Sequence, residues 1–172
     1  SLARAMIQGF DLQSADTIVE IGPGTGSFTS LIRENLDRKT TFVTLELDPI
    51  NAEGLRRRFS DLIVYNDSAE RIPYYLGLHG KRKADYIVSG LPWASLPLDM
   101  QERIMRAILS SLSASGAFTT FAYLHARFLP KARRFRRSLQ RQFARVEESS
   151  VVWRNLPPAF VYRCSSPRTR FA

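Results

Sequence analysis

The chain is poor in the residues that staple or metallate a fold. A single cysteine among 172 residues excludes an internal disulfide and any thiolate cluster for zinc, so Cys164 points to a reducing compartment. Two histidines argue against a histidine-built centre, and no metal is expected. Long apolar runs are also scarce. The longest uncharged stretch, Ala107 to Leu124, is interrupted by Ser110, Ser111, Ser113, Ser115, Gly116, Thr119 and Thr120, and reads as a helix end, a Gly turn and a buried strand rather than a bilayer span. No basic segment leads into a short apolar core with a cleavage site, so no secretory signal is read. The first residue is Ser rather than Met, and residues upstream of it are expected. Repeats and low-complexity linkers are absent.

Acidic residues are scarce in one half only. Residues 1–86 hold 11 Lys+Arg against 12 Asp+Glu, and residues 87–172 hold 14 against 4, or net −1 and net +10 within the total of +9. Such asymmetry suggests that one face meets an anionic polymer or surface, either nucleic acid or an acidic membrane. With 44% hydrophobic residues the length fits one soluble domain, residues 1–172, with a real core.

Short β-rich runs alternate with helical stretches, the pattern of a parallel sheet with helices on both faces. Strands are expected at 17–21, 41–47, 61–65, 84–89 and 117–123, and helices at 27–36, 49–59, 73–78 and 97–112. Beyond these come a basic helix at 131–143, a strand run ending near Trp153, a turn at Asn155-Leu-Pro-Pro158, and a last strand through Val161. The final pair reads as a hairpin, so the sheet should end antiparallel, with the turn on the edge where the parallel strands finish. Open α/β sheets bind ligands at that edge.

The strongest local signal is Val19-Glu-Ile-Gly-Pro-Gly-Thr-Gly26, where a strand turns into a helix. Its G-x-G-x-G spacing differs from the dinucleotide pattern, and no Lys-Ser/Thr follows, so it suits a nucleoside without a pyrophosphate. Glu46 lies 20 residues beyond Gly26, near the end of the second strand, where a carboxylate accepts ribose hydroxyl protons. Glu20 is a candidate holder of a cationic amino group, and Asp67 a candidate acceptor from an adenine amine. Any one of these carboxylates alone could equally be a helix cap or a solvated turn.

VEIGPGTGSFT, TLELDP and NDSAERIP resemble the first three motifs of the class I S-adenosylmethionine-dependent methyltransferases. The resemblance implies a Rossmann-like, three-layer α/β/α fold on a seven-stranded, mostly parallel sheet with a C-terminal antiparallel hairpin. It further implies S-adenosyl-L-methionine as cofactor, leaving as S-adenosyl-L-homocysteine, held by Gly22, Pro23, Gly24, Thr25 and Gly26 with Glu20 and Ser89. Glu46 would take the ribose, Leu47 one adenine face, and Asp67, Ser68 and Ala69 the adenine edge.

The fourth strand ends in Ser89-Gly-Leu-Pro-Trp93, similar to the Asn-Leu-Pro-Tyr motif of rRNA adenine dimethyltransferases, but Gly90 stands where Asn would orient a base amine. VSGLP, FAY at 121–123 and VWRNLPPAFVYR at 152–163 resemble the bacterial phospholipid N-methyltransferases, which convert phosphatidylethanolamine and its mono- and dimethyl derivatives toward phosphatidylcholine. Leu124-His125 departs from the Gly-Pro usual there, and the amphipathic membrane helix of that family would precede residue 1. The resemblance implies a monomeric cytoplasmic enzyme, peripheral on the inner face of an anionic membrane, with no nucleic-acid partner. An RNA or DNA methyltransferase, and a lipid-binding module without turnover, are the alternatives.

An alkylammonium must lose a proton before it attacks a methyl donor. Tyr123 is the first candidate for orienting the amine or relaying that proton and His125 the second, with backbone carbonyls of Ser89, Gly90 and Leu91 aiming the nitrogen. A methylated ammonium favours aromatic faces, which Trp93, Tyr123 and Trp153 could supply at the rim unless they are core. Arg127 and Arg154, with Asn155, are candidates for the lipid phosphate. In Lys131 to Arg145, seven cations and no acid surround a stripe of Phe128, Phe135, Leu139, Phe143 and Val146, read as a core-packed face with arginines turned to anionic lipid.

Overall fold

Residues Thr17–Ile21 form β1, a β-branched run buried at every position, and burial on both faces requires helices above and below the sheet. The computed structural model describes residues 1–168. β1 lies between β2 (Thr41–Leu45) and β4 (Ala84–Ser89), with β3 (Ile63–Tyr65) beyond β2 and β5 (Leu112–Tyr123) beyond β4, all parallel. β7 (Ala159–Pro167) runs antiparallel between β5 and β6 (Phe143–Glu148). The order β3-β2-β1-β4-β5-β7-β6 is the mostly parallel seven-stranded sheet with a C-terminal hairpin expected from sequence.

Alternate residues of each strand feed two cores. Val19, Ile21, Val43, Leu45, Ile87 and Phe118 face α4 (Ile72–Leu78), α5 (Leu98–Ser111) and α6 (Pro130–Gln142). Ile18, Phe42, Val88 and Val161 face α1 (Leu2–Ile7) and α2 (Ser27–Glu34), and α3 (Pro49–Arg58) packs Ala52 and Leu55 on Val64 of the same side. Helix starts follow local chemistry. Asp48 caps α3 by accepting the Asn51 N–H at 2.9 Å, and Pro49 and Pro130 occupy first-turn positions where no donor is lost.

Several boundaries differ from the sequence reading. β5 starts at Leu112 rather than at 117, because its pairing with β4 jumps from Ala84↔Leu112 to Tyr86↔Ala117. The Ser-Ala-Ser-Gly stretch read as a turn is therefore a bulge inside one strand. β6 stops at Glu148, and only a lone bridge, Val152↔Ala159, follows, so Trp153 belongs to a connection and not to a strand. β7 continues to Pro167 because it is paired on both edges. Phe128 lies before α6 and is 71% exposed, outside the stripe of Phe135, Leu139 and Phe143, which is core. α1 was not anticipated. Among the described residues no helix is long and apolar enough to cross a membrane.

The β1–β4 ladder runs one step past both strands, through the Gly90 N–H to the Ile21 carbonyl at 2.8 Å. A Cβ on Gly90 would overlap the Gly22 carbonyl oxygen, and backbone on both sides leaves no flexible atom to yield. Gly90→Ala is expected to lower unfolding stability by about 1–3 kcal/mol, the range for overpacked sites, with Gly90→Asn no milder. Urea denaturation midpoints check this, and wild-type stability for both would refute the close approach.

Candidate active site

At the carboxyl ends of β1, β2 and β3 the glycine loop bends back over the sheet. Gly22, Gly24 and Gly26 all have positive φ. At Gly22 the left-handed backbone (φ +62) coincides with the Leu91 side chain pressing where a Cβ would stand. Above Gly24 a Cβ would meet nothing within 4 Å, so the outer side of the loop is open for a ligand to lie against backbone. Pro23 is buried and Thr25 exposed, its carbonyl accepting from Arg58 at 3.0 Å.

Glu46 ties this loop to its neighbour. Its Oε2 accepts the Gly24 N–H at 2.8 Å and its Oε1 the Asp48 N–H at 2.9 Å, and each oxygen keeps acceptor capacity for a hydroxyl. Leu47 beside it is exposed and offers an apolar face. Asn66, which the sequence did not single out, donates from Nδ2 to the carbonyls of Glu46 and Leu47, both at 2.9 Å. An amide at a strand end is too common a turn residue to have signalled that role.

Asp67 accepts from the Tyr75 hydroxyl and from the Ser68 N–H, both at 2.7 Å, with Arg71 at 3.4 Å. The Tyr75 bond foremost, then Ser68, holds its carboxyl below the usual range. Ser68 caps the Ala69–Arg71 turn by accepting the Glu70 N–H at 3.2 Å, and Ala69 is buried. These residues shape the third strand's turn, and Asp67 keeps partial exposure toward the loop cleft.

Glu20 is fully buried on the α2 side of β1, with Oε2 accepting from the Thr29 hydroxyl at 2.7 Å and Oε1 unpartnered. Burial pushes its pKa up to about 8; the Thr29 bond opposes this and the charge of Glu46 adds to it. The side chain expected to face a cationic amino group therefore lies beneath the loop as a neutral acid at pH 7.

The acceptor side is built on Ser89. Its buried Oγ accepts from the Leu91 N–H at 3.3 Å and the Trp93 Nε1–H at 3.0 Å, and the Leu91 carbonyl accepts the Trp93 N–H at 3.0 Å. Ser89 thus pins the Gly-Leu-Pro-Trp turn. Trp93, expected at the rim, is 2% exposed and stacked on Phe135 with centroids 4.9 Å apart.

A cavity of about 460 Å³ opens beyond this turn, walled by Trp93, Tyr123, His125, Arg127, Lys131 and Phe135. The Tyr123 and His125 rings stack at 5.7 Å. Arg127 pairs with Glu148 at 2.7 Å and lies 5.2 Å over the Phe160 ring, while Glu148 also holds Arg136 at 2.8 Å. Tyr162, whose pKa burial and then Glu148 push up to about 12, completes the wall. Glu148 carried no signal in the sequence, since its pairing depends on the hairpin register. Trp153, Arg154 and Asn155 stand outside that wall: the first two are exposed, and Asn155 Nδ2 donates to the Pro157 carbonyl at 2.7 Å within its own turn. Among the described residues no cluster of three potential ligands could hold a metal.

The fold and the glycine loop define a class I S-adenosylmethionine-dependent methyltransferase, as the sequence motifs implied. No family model matches the chain. Over 178 residues, however, it is 31% identical to the ornithine lipid N-methyltransferase of Singulisphaera acidiphila, a match covering 99% of this chain and 86% of that one. The chain belongs to that methyltransferase family, and its cofactor is S-adenosyl-L-methionine. The ribosomal RNA small subunit methyltransferase A of Ralstonia nicotianae is 33% identical over only 90 residues, 52% of this chain and 31% of that one. The O-methyltransferase TomG from Streptomyces achromogenes, solved in complex with S-adenosylmethionine, shares the fold at a TM-score of 0.71 and 16% identity, covering 96% of this chain and 78% of that one.

The residues present fit this cofactor, since the loop is open above Gly24 and Glu46 retains lone pairs beside exposed Leu47. Glu46→Ala removes the acceptor of the Gly24 N–H in the loop and of the Asp48 N–H at the start of α3 as well as a ribose acceptor, and is expected to weaken cofactor binding at least roughly 100-fold. Calorimetry showing unchanged affinity would refute the ribose assignment.

Glu20 yields a second expectation. Its stabilising contribution is fully present below its unfolded pKa of about 4.3 and is lost as pH rises through about 8. Thermal melting midpoints should therefore fall between those values in the wild type, and Glu20→Gln should flatten that fall. Parallel curves for the two proteins would contradict it.

Proposed function

We propose that this methyltransferase N-methylates the amine of a membrane aminolipid headgroup. The observation that carries the reading is the acceptor cavity, where aromatic walls meet Arg127 and Lys131 beside the end of β4. Phosphatidylethanolamine and its mono- and dimethyl derivatives are the acceptors favoured by the sequence resemblance. An ornithine-type lipid is the second, favoured by the whole-length relative. Both present a terminal amine and an anionic group, which one site of this composition serves.

The cofactor supplies an electrophilic methyl on its sulfonium when bound. The protein's own work is to deliver a neutral amine in line with it. Ser89 fixes the Gly90-Leu91-Pro92 backbone, so its carbonyls stand at a set distance from the glycine loop. The Tyr123 hydroxyl and His125 ring face one cavity and serve to orient the amine and carry off its proton. Tyr123, exposed at the cavity, offers a ring face to the nitrogen as it gains methyl groups and loses donors, which suits it better than a carboxylate. Arg127, steadied by Glu148, reads the anionic part of the headgroup.

Nucleic-acid methylation has less support: the RNA methyltransferase match is partial, and Gly90 offers no side chain to orient a planar base. The test supplies radiolabelled S-adenosylmethionine with vesicles of phosphatidylethanolamine, vesicles of ornithine lipid, and RNA in parallel. Label is expected in aminolipid. Label in RNA alone would overturn the reading, and cofactor binding without transfer would favour a lipid-binding module.

A further inference from the structure

Exposed apolar side chains are concentrated at one place. Of the ten large exposed hydrophobics among the described residues, four lie in two short connections, Phe128 and Leu129 after β5 and Trp153 and Leu156 between β6 and β7, and a fifth, Tyr123, ends β5 where the first of them begins. The two connections touch. The Leu124 N–H donates to the Pro158 carbonyl at 2.8 Å, and Tyr123 pairs with Ala159. Trp153 is 68% exposed, Phe128 71% and Leu156 91%, on a surface that includes the mouth of the acceptor cavity, since Tyr123 and Leu129 also line that cavity.

Cations continue both connections along the chain. Arg133, Arg134 and Arg137 of α6 and Arg154 of the second connection are exposed, and among the described residues none of these four forms a salt bridge, in contrast to Arg136. α6 meanwhile buries Ala132, Phe135 and Leu139, so its cationic side is turned outward. Exposed apolar connections continued in the chain by unpaired cations, with Arg154 next to Trp153 and α6 starting directly after Leu129, are complementary to one kind of partner, a bilayer with anionic headgroups over an acyl interior.

We infer that these two connections form a wedge that enters the acyl boundary of an anionic membrane, with Phe128, Leu129, Trp153 and Leu156 inserted and the α6 arginines on phosphates. The wedge deepens the aminolipid reading and rests on it, because it sets the cavity mouth at the level where a headgroup amine is found. No acyl chain then has to leave the bilayer, and the headgroup enters between Tyr123 and Leu129.

Binding is measured on vesicles of phosphatidylglycerol and phosphatidylcholine, which hold no acceptor amine, without cofactor. Trp93 is buried, so a change in tryptophan emission reports Trp153. On anionic vesicles emission should shift to the blue and be quenched by brominated acyl chains, and Trp153→Phe should abolish both effects. Phe128→Glu and Leu156→Glu are each expected to lower partitioning about tenfold or more, the change that exposing one such side chain carries. Leu78→Glu, an exposed site on α4, should change nothing. Replacing Arg133, Arg134 and Arg137 by Ala should weaken binding to anionic vesicles and flatten its salt dependence. Wild-type emission unmoved by vesicles, or unchanged partitioning of both Glu variants, would overturn the wedge. Methyl transfer to aminolipid with no Trp153 shift would leave the proposed function standing and remove the wedge, and a Trp153 shift with no lipid labelled would do the reverse.

Discussion

The contact on which the site depends is between two backbones. At the carboxyl ends of β1 and β4 the Gly90 N–H reaches the Ile21 carbonyl, and Gly90 lies so close to the Gly22 oxygen that no side chain fits. This seam fixes the separation between the glycine loop and the Gly-Leu-Pro-Trp turn, the two elements to which the proposed function assigns cofactor and acceptor. The two meet without intervening side chains, so the geometry of transfer is set by the hydrogen-bond ladder of the sheet, its most rigid part. Leu91 packed over Gly22 and Ser89 gripping Trp93 extend the same rigidity outward to the cavity wall.

The two carboxylates nearest the seam are both buried and differ in their partners. Glu46, though buried, spans two backbone donors, the N–H groups of Gly24 and Asp48. Glu20, one strand away, is pushed toward its neutral form by burial, with the Thr29 hydroxyl donating to one of its oxygens. Two ionised acids so near each other beneath a loop would repel, and protonating Glu20 removes that conflict.

Much of this was legible in sequence because the relevant patterns are local. The β-rich runs, the glycine spacing and the acids at strand ends each occupy a few consecutive residues, and together they gave the sheet, the loop and the place of Glu46. What was not legible depends on pairing across distance. Whether Trp93 faces solvent or Phe135 is decided by where α6 settles, and Arg127 finds Glu148 only through the β6–β7 register. The Ser113–Gly116 bulge carries turn residues, and composition cannot tell a turn from a bulge inside a strand. Glu20 shows the same limit: its motif is local, but its ionisation follows from α2 covering it.

The seam also bears on acceptor class. A purine amine is flat and conjugated, so its lone pair must be drawn out of the ring plane by an acceptor placed beside it, and Asn supplies one at the matching position in the rRNA enzymes that this chain partly resembles. An alkylamine has a localised lone pair and rotates freely about its carbon. It needs loss of a proton and an apolar wall more than an orienting amide. With Gly90 the backbone seam closes more tightly than Asn would permit, and in the proposed function selection falls to Tyr123, His125 and Arg127 on the cavity wall. The +10 half of the chain carries that cavity, so under the proposed function the charge asymmetry and the missing Asn side chain act on the same step: bringing an amine from an anionic surface to a methyl donor held in the nearly neutral half.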